Sequence, residues 1–391
     1  MSILLLQGPL GPFFNKLQSA LIDEGKDVHR IILNGGDQLY SSGRVTAYTG
    51  SQRNWHAFLL DFIRVNNIQT ILAFGDCRAY HIDAKRICIQ QNIRYFALEE
   101  GYLRPNYITV EEGGVNGYSP ITHEAISLYE PMHTAKDESP IPNNLFRRFV
   151  YGSLYYTFGF FNRLKFKGYR HHRSFSSIYE SCCWVRSYIR KNIYRVTEPK
   201  TRALISNGEF FLVPLQVHND AQIEFHSPYK KIEDFIEEVM VSFSNSGSNA
   251  RLVFKHHPMD RGHTNYKKII AKKAAELNLT GRIEYIHDQH LPTLLKACKG
   301  VVTINSTTAL QAFYHRAPVK VLGDAFFDMP GLTCVKPLNE FWLDPGVSNE
   351  IFTDQFKAYL LDHGQINGSF YTEFDMTINN LIAHLKKLRA I

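Results

Sequence analysis

Several features are scarce or missing in this 391-residue chain, and each absence narrows what it can be. No run of roughly 18 uninterrupted apolar residues occurs, which leaves no candidate for a membrane-spanning helix. The opening stretch, Met1 to Gly8, has no basic residues ahead of its short apolar run, and the run ends at glycine; it reads as a buried first strand, not a secretory signal. The six cysteines, Cys77, Cys88, Cys182, Cys183, Cys298 and Cys334, form no CxxC pair and no regular framework, so free thiols in a reducing cytoplasm are expected. There is no Walker loop, no GxGxxG loop and no convincing DxD pair, which removes the common phosphate loops and the usual metal–diphosphate acids. Low-complexity tracts and short-period repeats are also missing. With 21% charged and 44% hydrophobic residues, the chain has enough apolar material for a real core and is not a disordered segment.

What is present is unevenly distributed charge. Between Asn144 and Lys200 there are twelve Lys and Arg (Arg147, Arg148, Arg163, Lys165, Lys167, Arg170, Arg173, Arg186, Arg190, Lys191, Arg195, Lys200) against Glu180 and Glu198. That stretch carries 12 − 2 = +10, and the rest of the chain 7 − 10 = −3. Aromatics are interleaved with the cations, as from Tyr151 through Tyr155 and Tyr156 to Phe160 and Phe161. This mixture suits contact with anionic headgroups, rings at the interface and cations on phosphate. It equally suits aromatics that fill a core beneath a solvated cationic face, and nucleic-acid phosphates would take the same ingredients.

The hydrophobic pattern predicts an α/β protein. Ile3–Gln7, Val28–Leu33, Gln69–Phe74 and Ile93–Leu98 read as strands separated by the helical patterns Phe13–Asp23, Trp55–Val65 and Ala79–Gln91. The alternation restarts near Ala203: strands at Phe210–Leu215, Arg251–Lys255, Arg282–Ile286, Gly300–Ile304 and Val319–Leu322 flank helices at Lys230–Ser244, Tyr266–Leu277, Leu291–Ala297 and Ser306–His315. Continuous apolar strands alternating with helices predict parallel sheets covered on both faces, with ligands at the carboxyl ends of strands. The predicted division is a Rossmann-like domain over 1–143, a basic aromatic helical segment over 144–200, a second Rossmann-like domain over 201–345, and closing helices over 346–391. Two Rossmann-type domains facing a central cleft is the GT-B-like layout.

Four segments carry candidate chemistry. Glu99 and Glu100, before Gly101 and near Arg104, are adjacent acids at a strand's carboxyl end, where burial and like charge tune a carboxyl for nucleophilic or base work; an ordinary acidic turn is the plain alternative. Lys255-His256-His257-Pro258 runs from a strand into a loop. Pro258 disfavours helical geometry at His257 and leaves that imidazole beyond the strand as a phosphate contact beside Lys255, while His256 is expected to be packed. Zinc ligation by these histidines and His263 is not supported, since no carboxylate or cysteine lies at ligand spacing. Asn305, Ser306 and Thr307 sit where a buried strand turns into a helix, a place where amides and hydroxyls bind phosphate. Gln216, His218, Asn219 and Asp220 follow a strand and offer polar groups for sugar hydroxyls, or form a plain polar loop.

In this order, an acid-acid-Gly motif, an HP motif and a Ser/Thr-rich helix start resemble those of bacterial CMP-sugar transferases. Over nearly its whole length the chain resembles the capsule polysaccharide β-Kdo transferases of the KpsS/LipB type, through Glu99 to Pro105, Val213 to Asp220, Lys255 to Pro258, and Pro318-Val319 followed by Gly331-Leu332-Thr333. It departs from the usual Glu-Asp-Gly in carrying Glu100. The resemblance implies retaining transfer of Kdo from CMP-β-Kdo to a (lyso)phosphatidylglycerol acceptor, starting the poly-Kdo linker of a Gram-negative capsule. It implies a cytoplasmic protein, peripheral on the inner membrane, that uses neither metal nor cofactor, binds no nucleic acid and meets other capsule biosynthesis proteins. Glu100 is then the nucleophile and Glu99 its orienting neighbour or substitute; Arg104 pairs with the Kdo carboxylate; His257, Lys255, Pro258, Asn305, Ser306 and Thr307 hold the CMP moiety; Gln216, Asn219 and Asp220 contact donor sugar or acceptor. An inverting CMP-sialic-acid-type transferase and a non-catalytic sugar-nucleotide-binding subunit are the alternative readings.

Overall fold

A computed structural model describes residues 1–130, 138–142, 145–170 and 177–391. Twelve strands occur among them: β1 (Ser2–Leu5), β2 (Asp27–Ile32), β3 (Val45–Ala47), β4 (Ile68–Phe74), β5 (Arg94–Glu100), β6 (Tyr107–Glu112), β7 (Phe210–Pro214), β8 (Arg251–Lys255), β9 (Ile283–Ile286), β10 (Gly300–Thr303), β11 (Val319–Val321) and β12 (Gln365–Asn367). They form a seven-stranded sheet, β12-β6-β5-β4-β1-β2-β3, and a five-stranded sheet, β11-β10-β7-β8-β9. Every pair in the second sheet is parallel, and in the first only β6 runs against its neighbours. Both are Rossmann-type sheets, so the α/β class and the two Rossmann-type units are as the pattern predicted.

The chain divides into one compact unit of Met1–Pro120, Pro131–Ser174 and Ala358–Ile391, and another of Ile121–Glu130 and Phe175–Lys357. In the first, strand alternation feeds two cores. Ile3, Leu5, Leu72, Phe96 and Leu98 pack with Phe13, Phe14 and Leu17 on one face; Leu4, Ile71, Ala73, Tyr95 and Ala97 pack with Trp55, Leu59 and Ala84 on the other. In the second unit, Ile232, Phe235, Ile236, Val239, Met240 and Phe243 recur at helical spacing on the helix Ile232–Asn245 and cover Phe211, Leu252 and Phe254. Burial of each such side chain contributes roughly 1.5–3 kcal/mol before entropy is subtracted.

The structure draws the boundaries differently from the sequence pattern. The helix Phe374–Lys387 does not close a separate tail. It returns to the first sheet, where Phe13 meets Phe370 edge to face at 5.0 Å, Thr70 Oγ1 donates to the Ala390 carbonyl at 2.9 Å and Arg94 to the Leu388 carbonyl at 2.8 Å. The basic aromatic segment also divides: the helix Leu145–Phe161 belongs to the first unit and the helix Ser177–Thr197 to the second. Gly35 and Gly36 let the first of these helices lie directly on the short helix Gly35–Leu39, because a Cβ at Gly36 would overlap the Tyr155 ring. No described helix is long and apolar enough to cross a membrane.

Candidate functional site

In the first unit the strand order reverses between β1 and β4, so the crevice beyond their carboxyl ends is the expected ligand position. β5 borders β4, and its last two residues are Glu99 and Glu100. The sequence pattern ended this strand at Leu98. In the structure both acids remain in it because β6 folds back, pairing Thr109 with Glu99 and Ile108 with Glu100. Gly101 follows for a steric reason: a side chain there would run into the Tyr107 carbonyl. Gln365 of β12 fixes the turn by accepting from the amides of Tyr102 at 2.8 Å and Leu103 at 3.2 Å.

Membership of the strand separates the two acids, because successive side chains point to opposite faces. Glu100 continues the face of Phe96 and Leu98 and meets Arg148 of the helix Leu145–Phe161 in an ion pair of 3.0 Å. Tyr371 lies against both: its ring is 5.0 Å from the Arg148 guanidinium, and its hydroxyl feels the charges of Glu100 and Arg148. Glu99 continues the other face. Its Oε1 accepts from the Glu100 amide at 3.0 Å, and its Oε2 would lie 3.6 Å from a Cβ at Gly75, in the loop after β4. Burial pushes the Glu99 carboxyl up to about 7, and the charge of Glu100 adds to this against the Glu100 amide, Arg78 and Arg104. Gly75 needs its glycine, with φ of +72°, and His81 holds the loop by hydrogen-bonding the Gly75 carbonyl at 2.7 Å. Burial drives His81 down to about 3, so it is neutral there. Arg104 is exposed, donates to the Gly101 carbonyl at 3.1 Å and is felt by Glu99.

In the second unit the reversal lies between β7 and β10. Gln216, beyond β7, and Asn305, beyond β10, clasp each other across it. Gln216 Nε2 donates to Asn305 Oδ1 at 2.9 Å and to Asp220 Oδ2 at 3.2 Å, and the Asn305 amide donates back to Gln216 Oε1 at 3.3 Å. Asn305 Nδ2 holds the carbonyls of Gln222 and His226, both at 2.9 Å. Both side chains are buried and their polar atoms are used inside the protein, so they shape the crevice floor. Asp220 caps the helix Ala221–His226 through the Gln222 amide, and Asn219 is exposed in the turn before it.

The predicted phosphate cradle is partly occupied by internal bonds. The helix after β10 starts at Thr308, two residues later than the pattern suggested. The Ser306 amide donates to Thr303 Oγ1 at 3.3 Å, the Thr308 amide donates to Ser306 Oγ at 3.2 Å, and Thr307 occupies the cap position without a side-chain cap. Lys255 is buried, points its Nζ at the His287 carbonyl at 3.0 Å, and is pushed to lower pKa by that burial. His256 is packed, as expected: its Nδ1 meets the Tyr285 hydroxyl at 2.7 Å, and burial takes it down to about 4. His257 is half-buried just past the strand, where its Nδ1 accepts from the Met259 amide at 3.2 Å across the Pro258–Asp260 turn. That bond leaves Nε2 as the protonated nitrogen of the neutral ring, the tautomer that can donate to a phosphate oxygen.

Sequence reasoning left three side chains here without a role. Arg148 and Tyr371 come from distant segments and carried no local signal beside Glu100. Asp260 had one: it lies two residues past Pro258. It is buried, accepts His218 Nδ1 at 2.5 Å, Thr264 Oγ1 at 2.6 Å and the His218 amide at 3.3 Å, and so ties the loop after β8 to the loop after β7.

A family model described as capsule polysaccharide biosynthesis protein matches residues 69–371. The chain belongs to that family. This member is 42% identical to the capsule polysaccharide export protein KpsS of Escherichia coli, over 94% of this chain and 96% of that protein. It is 36% identical to the capsule polysaccharide modification protein LipB of Neisseria meningitidis serogroup A, over 95% of this chain and 92% of that protein. Among solved structures it is similar to Thermosulfurimonas dismutans KpsC, a beta Kdo 2,7 transferase, with 15% identity, both chains fully covered and a TM-score of 0.46.

Proposed function

We propose that this capsule biosynthesis protein is a retaining glycosyltransferase that moves Kdo from CMP-β-Kdo to a (lyso)phosphatidylglycerol acceptor, starting the poly-Kdo linker of a capsular polysaccharide. The observation that carries the reading is the pair of strand-end acids in unlike surroundings, Glu100 against the Arg148 cation and Glu99 pushed up to about 7. One carboxyl paired with a cation and one raised by burial divide the labour of a double displacement: the ion-paired one attacks, the near-neutral one handles protons. Glu100 attacks the anomeric carbon as CMP departs; Glu99 then takes the acceptor hydroxyl's proton as that oxygen displaces Glu100. Arg104 pairs with the Kdo carboxylate, and His257 donates through Nε2 to the CMP phosphate. An enzyme that starts the lipid-borne linker of a capsule accords with relatives named for export and for modification.

The protein works, on this reading, at the cytoplasmic face of the inner membrane. The stretch from Leu145 to Lys167 supports this, with Phe146, Phe149, Phe160, Phe161 and Leu164 exposed beside exposed Arg147, Arg163, Lys165 and Lys167. The test is an incubation of the purified protein with CMP-Kdo, generated in place, and lysophosphatidylglycerol, followed by mass spectrometry of the lipid. A lipid heavier by Kdo, with CMP released, is expected. Neither product from a folded protein overturns the reading, and CMP binding without release would mark a sugar-nucleotide-binding subunit instead.

A further inference from the structure

We propose that Arg148 is a second cation for the donor's carboxylate, beside Arg104, and the residue that lets an anionic nucleophile reach a carbon already bearing an acid; this rests on the transferase reading above. In Kdo the carboxylate is bonded directly to the anomeric carbon. The Glu100 oxygen that attacks must therefore come into contact with a second negative charge. Like charges brought together away from bulk water repel strongly, and a cation held beside both offsets the repulsion.

Arg148 is placed for this. Its ion pair with Glu100, at 3.0 Å, falls on Oε1, and that oxygen is buried. The Glu100 side chain still keeps 24% of its area exposed, which leaves Oε2 as the attacking oxygen. The Arg148 side chain keeps 45%, and Glu100 is its one ion-pair partner among the described residues. A single nitrogen of a five-donor fork meets the acid, so N–H groups remain for a carboxylate arriving beside it. Arg104 lies instead in the turn beyond Gly101, where it donates to the Gly101 carbonyl and is felt by Glu99.

The fold fixes the guanidinium from two sides. Tyr371, buried in the core of the same unit, presents its ring at 5.0 Å. Two turns on along the helix Leu145–Phe161, and on the same face, Tyr155 seats the helix. Its ring lies where Gly36 has no side chain, and its hydroxyl donates to Asp37 at 2.9 Å and accepts from Asn34 at 2.7 Å and Gln7 at 3.0 Å.

In the step, Oε2 of Glu100 bonds to the anomeric carbon as the bond from that carbon to the phosphate oxygen breaks, its electron pair leaving with CMP. Glu100 becomes a neutral ester. Arg148 loses its anion at that moment, and the sugar's carboxylate, on the same carbon, takes its place. When the acceptor oxygen displaces Glu100 and gives its proton to Glu99, the charge of Glu100 and the original ion pair return. A cation passed from nucleophile to substrate stabilises only a donor with an acid on its anomeric carbon, so Arg148 selects 2-keto acid sugars.

The experiment measures CMP release by wild type, Arg148→Gln and Arg148→Lys from CMP-Kdo and from its carboxamide, in which the acid is neutralised. For Arg148→Gln, kcat/KM is expected to fall about 10²- to 10³-fold with CMP-Kdo and about 10-fold or less with the carboxamide. Both donors are compared on one preparation, so any loss of folded protein cancels from the ratio. Arg148→Lys keeps the charge without the fork and should recover about 10-fold of the glutamine variant's loss with CMP-Kdo. Equal losses with the two donors would restrict Arg148 to Glu100 and overturn the assignment. So would wild-type rates in Arg148→Gln, or no recovery in Arg148→Lys whatever the carboxamide does; each leaves the transferase intact. Absence of CMP release from CMP-Kdo by the wild type overturns the transferase reading, and the assignment falls with it.

Discussion

The carboxylate of Glu99 faces the Gly75 loop, and that of Glu100, one residue on, faces Arg148 and Tyr371 on the opposite side of β5. Substitution should therefore give two different defects. Glu100→Gln keeps the shape and loses the attacking charge, so kcat is expected to fall on the order of 10⁴-fold or more with CMP affinity unchanged. Glu99→Gln loses only proton handling and should cost about 10²- to 10⁴-fold. Steady-state kinetics on both variants decide this; wild-type turnover in Glu100→Gln would remove that residue from the reaction.

The same environment predicts a pH profile. A base held at about 7 is half protonated near neutrality, so kcat should rise with pH through about 7 and level off above it. In Glu99→Gln the residual rate should lose that rise. An identical acid limb in the variant would assign the limb to another group.

Glu111 makes a prediction about stability instead. It is buried, accepts from the Tyr102 hydroxyl at 3.1 Å, and burial pushes it up to about 8. Its folded pKa thus lies above the unfolded value near 4.5, and between the two the folded state holds a proton that the unfolded state has lost. Its contribution falls as pH rises across that window and is constant beyond it. Glu111→Gln keeps an acceptor for Tyr102 and cannot ionise. Its Tm should gain on wild type as pH is raised from about 5 to about 8, with a free-energy gain on the order of a few kcal/mol at most. A gap that does not change with pH would refute this.

Membrane contact through the stretch from Leu145 to Lys167 predicts salt-sensitive binding. Each cation near an anionic surface is worth about 1 kcal/mol and is screened as salt rises. Cosedimentation with phosphatidylglycerol vesicles should weaken in high salt, and Phe160→Ser with Phe161→Ser should weaken it at any salt. Equal binding to neutral phosphatidylcholine vesicles would defeat the idea.

Strand periodicity made most of both sheets legible in the sequence, because buried parallel strands are continuous apolar runs. It missed β3 and β12, which are three residues each, and β6, whose alternation ends in Glu111 and Glu112. Missing β6 had the larger consequence. Without the strand that pairs with them, Glu99 and Glu100 read as a loop pair with shared surroundings, not as two acids on opposite faces. The roles of the basic segment were hidden for a related reason: Arg186 and Arg190 of the helix Ser177–Thr197 donate to the carbonyls of Gly262, Arg261 and Thr264, partners that composition does not reveal.

The Gln216–Asn305 clasp separates a structural role from a ligand role. Asn305→Ala removes one of the two acceptors of Gln216 Nε2, which keeps Asp220, and one donor each from the carbonyls of Gln222 and His226, of which His226 keeps the Asp324 amide, in a place where Asn305 is almost fully buried. Each of these three lost hydrogen bonds is worth about 0.5–1.5 kcal/mol, so thermal unfolding should show a loss of roughly 2–4 kcal/mol. Because the clasp joins the two strands at which the sheet order reverses, CMP affinity should fall as well, and Gln216→Ala should produce the same pair of effects. If Asn305 served only as a ligand contact, its removal would raise KM for the donor at wild-type Tm; that outcome, measured by calorimetry and kinetics on the same preparation, would reverse the assignment.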